Sequence, residues 1–154
     1  MPKIDIDNVP LDRSTRYPPP FNKAVEGRER KRIGRTAGLT QFGVNICTLK
    51  PGAASSQRHW HENEDELVYV LEGEVVLCEE GGEITLKAGD AAAWKAGVPS
   101  GHCLVNRSDR VAKLIEIGTR APTERAHYPG IDMMAVRDET GARYARKDGT
   151  PFTA

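Results

Sequence analysis

Four histidines occur in the 154 residues: His59, His61, His102 and His127. Two of them stand in the run Arg58-His59-Trp60-His61, and a carboxylate-rich stretch follows that ends at Glu66. Side chains alternate along a β-strand, so this spacing turns both imidazoles to one face and Arg58 and Trp60 to the other. Glu66 comes after a short connection, residues 62–65, and begins the next strand, so it folds back beside the histidines. Glu62, Glu64 and Asp65 are the neighbouring carboxylates able to replace it. Imidazole and carboxylate together suit Mn, Fe, Ni, Cu or Zn. A third imidazole from a distant strand completes such a cage, and His102 opens a strand at a suitable place. Three neutral imidazoles and one carboxylate leave a divalent ion with a net charge of about +1 and, in an octahedral site, two open positions. Such a site polarises carbonyls, activates water or, with Fe(II), activates O2. His127, between Arg125 and Tyr128-Pro129, reads as a surface or packing residue.

Little else in the chain offers chemistry. There is no Ser-His-Asp arrangement and no phosphate-cradling glycine loop. Gln57 shares the parity of His59 and His61, and Asn45 and Asn106 are candidates for the same interior, but none is a general base. Trp60, Tyr69 and Trp94 read as packing or subunit-contact residues. Cys47, Cys78 and Cys103 are far apart in sequence, and an odd count without a paired motif argues against a disulfide framework or a thiolate zinc site. Cys47 and Cys103 read as small core residues.

The elements that must position these groups are nearly all strands. Residues 41–50, 66–71, 74–78, 83–87, 91–94, 102–106 and 111–117 are short β-like runs, punctuated by Pro51-Gly52, Glu72-Gly73, Gly81-Gly82 and Gly89-Asp90. This rhythm predicts a sandwich or barrel. Residues 1–40 hold five prolines and read as an extended arm on the domain surface. Residues 119–154 are polar and read as an irregular tail packing on the barrel, with one short helix near 122–126. Between Arg13 and Arg35 eight basic residues face two acidic ones, whereas residues 62–83 hold nine acidic residues and no Lys or Arg. This segregation predicts that the arm packs on the acidic hairpin, in its own subunit or in a partner.

Composition narrows the function classes. Twenty-two Lys and Arg balance 22 Asp and Glu, so the chain is a poor general nucleic-acid binder. No helix-turn-helix pattern is present. No apolar run is long enough to span a bilayer, and the first residues carry no apolar signal core, so a cytoplasmic location with no membrane partner is expected.

The run Gly52-(x6)-His59-Trp60-His61-(x4)-Glu66-(x6)-Gly73 resembles the first motif of the cupin superfamily. Gly89-(x5)-Lys95-Ala96-Gly97-(x4)-His102-(x3)-Asn106 resembles its second motif. The Gly52–His59 interval is one residue longer than the usual pattern, Lys95 stands at the motif proline, and the Gly97–His102 interval is two residues longer. The resemblance covers about residues 41–118. The arm and tail are similar to those of small single-domain bacterial cupins, some of which carry a sugar-phosphate isomerase label. It implies an all-β double-stranded β-helix, a jelly-roll barrel. It also implies one divalent transition metal ion (Zn, Fe, Mn or Ni) on His59, His61, Glu66 and His102, and a homodimer. The expected function is a metal-dependent enzyme acting on a small polar metabolite, of isomerase, lyase or decarboxylase type, with a sugar phosphate as one candidate substrate. An Fe(II) dioxygenase and a non-enzymatic binding module for a small molecule or metal are the alternatives. A sugar phosphate needs a cationic anchor. Arg58 has the wrong parity for that role, which leaves Lys95, Arg35 or an arm residue from a partner.

Overall fold

A computed structural model describes residues 3–152. Its strands are β1 Leu11–Asp12, β2 Arg28–Lys31, β3 Phe42–Leu49, β4 Trp60–His61, β5 Glu66–Glu72, β6 Glu74–Glu79 and β7 Gly82–Lys87. They continue with β8 Ala91–Trp94, β9 His102–Val105, β10 Ala112–Thr119, β11 Glu124–His127, β12 Met134–Asp138 and β13 Gly141–Ala145. Among the described residues the only α-helix is the single turn α1, Ile33–Thr36, and 3-10 turns occupy Ile6–Asn8 and Phe21–Val25. No helix is long and apolar enough to cross a membrane.

One sheet has the order β1-β2-β3-β10-β5-β8. Opposite it lie a three-stranded sheet, β7-β6-β9, and a four-stranded sheet, β13-β12-β11-β4. The segment that carries the histidine pair joins these last two. Ala54 and His59 bridge to Val105 and His102 of β9, while Trp60 and His61 pair with His127 and Ala126 of β11. This is the jelly-roll arrangement that the spacing of the strands implied.

Register across the six-stranded sheet grades its inner face from bare and polar to apolar. The first row is Trp94, Glu66, Gly118 and Gly43; the second is Ala92, Val68, Glu116 and Asn45; the third is Val70, Leu114, Cys47 and Arg30. Alternation then buries Val68 and Val70 and exposes Leu67, Tyr69 and Leu71. The core draws Cys47, Leu49, Val70 and Leu114 from this sheet and Val75, Leu77, Leu86 and Leu104 from the opposite one. Gly52, Gly73, Gly89 and Gly97 all have positive φ, between 75° and 96°, which accounts physically for the glycines of both motifs. At Gly73 an added Cβ would also lie 2.8 Å from the Val111 carbonyl oxygen.

Two expectations need correcting. The arm is built into the sheet, because β2 pairs with β3 and β1 pairs with β2. Within one chain its cations do not meet the acidic hairpin: Arg30 pairs with Glu116, Arg32 with Asp12 and Arg13 with Glu29. The tail is regular rather than irregular, a β11-β12-β13 meander, and residues 124–127 form a strand where a helix was expected. The alternation of buried Ala126 and Tyr128 explains it, with Met133 packing beside them. These residues close a second apolar cluster with Tyr17 and Val25 of the arm, a long-range partner that local composition does not reveal.

Candidate metal centre

His59, His61, Glu66 and His102 converge inside the barrel. The Nε2 atoms of His59, His61 and His102 lie 3.6, 3.4 and 2.8 Å from Glu66 carboxylate oxygens. Ring centroids of His59 are 4.9 Å from His61 and 5.0 Å from His102. The extra residues before His102 do not turn it away. They form the loop residues 95–101, and His102 enters β9 facing inward and 4% exposed.

Each imidazole is oriented from behind. Nδ1 of His59 is 2.9 Å from the Gln57 carbonyl oxygen, Nδ1 of His61 is 3.3 Å from Glu124 Oε1, and Nδ1 of His102 is 3.4 Å from the Ser100 carbonyl oxygen. All three partners are acceptors, which favours the proton on Nδ1 and leaves lone pairs on Nε2. Three lone pairs then point at a carboxylate. Burial opposes charge on Glu66, yet any proton shared with the Nε2 atoms of His102, His59 and His61 holds its carboxyl well below the usual carboxylate range. Burial lowers the pKa of His102, which favours its neutral form. At His61 burial is outweighed by Glu66, which raises its pKa and marks the demand for positive charge at this point. Neutral nitrogens and an anionic oxygen facing one another fit a divalent cation between them.

Packing holds the set rigid. Trp94 stacks on His102 at 3.7 Å and 4°, with its indole N–H donating to Glu79 Oε1 at 2.8 Å. Tyr128 stacks on His59 at 5.7 Å. His127 lies outside the centre, stacked on Trp60 and bonded to Glu62. Gln57 donates to the Phe21 carbonyl, and Asn106 is fully buried on the Leu49 and Arg110 carbonyls, so both are structural. Asn45 does reach the interior.

Glu124 and Tyr128 were not legible as site residues, because they come from the tail and no local motif marks them. Glu124 is buried; its Oε1 also accepts from the Glu62 amide and its Oε2 from the Asn63 amide, each at 2.9 Å.

The centre opens into a cavity of about 580 Å³. Its walls include Arg16, Arg28, Arg30, Arg32, Arg35 and Arg120, against the carboxylates Asp12, Glu66 and Glu116. Arg58 and Lys95 lie outside it, while Arg35 lines it. The alternation Arg28-x-Arg30-x-Arg32 was the signal for an inward basic face on β2 and beyond. Arg30 holds Glu116 in a two-point bond, Nε–Oε2 2.7 Å and Nη2–Oε1 2.8 Å, and Arg32 Nε is 2.6 Å from Asp12. Burial pushes the Tyr17 hydroxyl up to about 12 and that of Tyr128 well above its ordinary value, so these two hydroxyls stay protonated.

Comparison with known proteins gives this architecture its family. The cupin domain family matches residues 45–118. The solved structure of a sugar phosphate isomerase of the cupin superfamily from Silicibacter pomeroyi is 47% identical, with a TM-score of 0.93, over 99% of this chain and 97% of that one. The chain belongs to the cupin superfamily. A predicted oxalate decarboxylase from Thermotoga maritima shares the fold at 23% identity, with a TM-score of 0.53 over 61% of this chain and 81% of that one. The HTH-type transcriptional regulator PuuR of Escherichia coli (strain K12) is 36% identical over 72 residues, 47% of this chain. This cupin spans only 37% of that regulator's length. Relatives with such different names share the barrel, so the reaction has to be argued from the site.

Proposed function

We propose that this cupin is a metal-dependent enzyme that isomerises a sugar phosphate, with His59, His61, Glu66 and His102 as the ligands of one divalent ion. The observation that carries the reading is the convergence of three Nε2 atoms and a carboxylate beside a polar, arginine-walled cavity. An ion held there would supply Lewis-acid polarisation of a carbonyl or hydroxyl oxygen. The chain's own residues supply the rest. The arginines attract an anionic substrate and screen its charge. Asp12 and Glu116 are occupied by Arg32 and Arg30, which leaves Glu66 as the carboxylate beside the Nε2 atoms. Protonated Tyr17 and Tyr128 can donate hydrogen bonds and cannot act as bases at neutral pH. The 47% identical relative named as a sugar phosphate isomerase supports the same substrate class.

The reading includes a homodimer. The outer face of the six-stranded sheet exposes Leu67, Tyr69, Leu71 and Ile117, an apolar surface that a second copy would cover.

A binding module without turnover is the second reading, favoured by the similarity to a transcriptional regulator. The polar walls favour catalysis, since a purely structural ion needs no such cavity. The test joins elemental analysis with turnover. Wild-type protein is expected to carry about one equivalent of Mn, Zn, Ni or Fe, and the His59→Ala, His61→Ala variant none. Incubated with aldose phosphates in D2O, the loaded enzyme should exchange the proton next to the carbonyl and form the ketose. No metal after reconstitution overturns the ligand set. Metal without exchange overturns the isomerase, and iron with O2 uptake selects the dioxygenase.

A further inference from the structure

Three cavity arginines have no partner among the described residues. Among the described residues, the side chains of Arg16, Arg35 and Arg120 make no hydrogen bond and no ion pair, although Arg28, Arg30 and Arg32 are all committed. Two of the three are brought to one spot by glycines. Gly34 lets α1 press on β3, where a Cβ would lie 2.9 Å from the Val44 amide nitrogen, and this sets the neighbouring Arg35 at the strand's first residues. Arg120 follows β10, with its amide donating to the Gln41 carbonyl at 2.9 Å. Its guanidinium lies over Gly43, where a Cβ would come within 2.9 Å of Cζ. Arg35, Arg120, Gly43 and Asn45 line both the main cavity and a side pocket of about 190 Å³.

The register ties this spot to the metal centre. Gly43 pairs with Gly118, and Gly118 pairs with Glu66. Two adjacent strand spacings separate Gly43 from Glu66, about 10 Å. Neither glycine has a side chain, so the row forms a bare lane with the Nε2 cluster at one end and two unpaired guanidiniums at the other. Planar guanidinium groups take tetrahedral oxyanions in two-point hydrogen bonds.

We propose that Arg35 and Arg120, with Arg16 at the rim, form an oxyanion subsite that holds the phosphate of a phosphomonoester. The substrate's carbon chain lies along Gly118 towards Glu66. The orientation of the carbon chain rests on the isomerase reading; the anion subsite does not. It makes Arg35 and Arg120 specificity residues, because the lane length selects where along the substrate the phosphate is carried.

The test is calorimetric titration of the full-length, metal-loaded protein with inorganic phosphate at low ionic strength. Wild type is expected to bind one phosphate per chain. The Arg35→Gln, Arg120→Gln double variant should weaken binding by roughly a hundredfold, at about tenfold for each lost charge-assisted contact. Both residues are exposed, so the variant should melt like wild type. Gly43→Ala is the second probe. Its methyl displaces a flexible guanidinium end and should weaken phosphate binding while leaving the metal content unchanged. The His59→Ala, His61→Ala variant should still bind phosphate. Absence of saturable binding to wild type overturns the subsite. So does binding that survives the arginine changes, or that is lost only with the histidines. Acetate competing as well as phosphate overturns the preference for a phosphate. Phosphate binding with no turnover of any sugar phosphate refutes the isomerase and leaves the subsite standing. Turnover with an unaltered KM in the arginine variant does the reverse.

Discussion

Glu124→Gln separates orienting His61, a proposed metal ligand, from stapling a loop. Glu124 Oε1 accepts from His61 Nδ1 at 3.3 Å and the Glu62 amide at 2.9 Å, and Oε2 accepts from the Asn63 amide at 2.9 Å. Glutamine has the same shape but only one accepting oxygen. With that oxygen towards His61 and Glu62, its NH2 group opposes the Asn63 N–H. One buried donor then loses its partner, a cost of about 1–3 kcal/mol. His61 also loses an anionic partner, which lowers the basicity of Nε2, and losses of this kind weaken metal binding by roughly 10–100-fold. Urea unfolding of the chelator-treated protein measures the first effect, and zinc competition against a chromophoric chelator measures the second. Glu64→Gln is the control. Glu64 is 3.9 Å from His61 Nδ1 and holds Arg137 and the Ala121 amide instead. It should cost stability with little change in affinity. A Glu124→Gln protein that is destabilised but binds zinc within about twofold of wild type would refute the orienting role. Equal losses in the control would refute it too, since general loosening would then suffice.

Further outcomes follow from other parts of the fold. Burial alone would raise the Glu116 carboxyl, and Arg30 more than offsets it, so its folded value lies below the ordinary 4.5. Its stabilisation is therefore complete above pH 4.5 and is lost as pH falls through the folded value. Glu116→Gln should cost about 3 kcal/mol at pH 7, with the gap to wild type narrowing in acid; a pH-independent gap contradicts this ion-pair account. Cys47 is fully buried with its thiol pushed well up, and burial pushes Cys103 up to about 11, so native protein at pH 8 should react slowly with Ellman's reagent at both. Fast reaction of all three thiols before unfolding would contradict that burial. Light scattering should give twice the 16.9 kDa chain mass, and Tyr69→Glu on the exposed sheet face should yield the monomer. A wild-type monomer, or a dimer untouched by that charge, rules this face out as the interface.

The chain by itself determined the strands and the grouping of the site residues. Parity placed His59 and His61 together because strand alternation is local geometry, and the turns were marked by glycines that must occupy positive φ. Seven barrel strands were legible for the same reason, each within a residue or two of its observed limits. The partners of those elements were not local and only the tertiary structure decided them. The apolar set Val44 and Ile46 faces outward, because register gives the interior to Asn45 and Cys47. Glu124 and Tyr128 reach the histidines through β11, which pairs with β4 from more than sixty residues away. The basic arm meets Glu116 and the cavity rather than the acidic hairpin, since β2 anneals to β3 and turns its alternate arginines inward. Charge composition records which signs are available. Only strand register fixes which of them come within hydrogen-bonding distance.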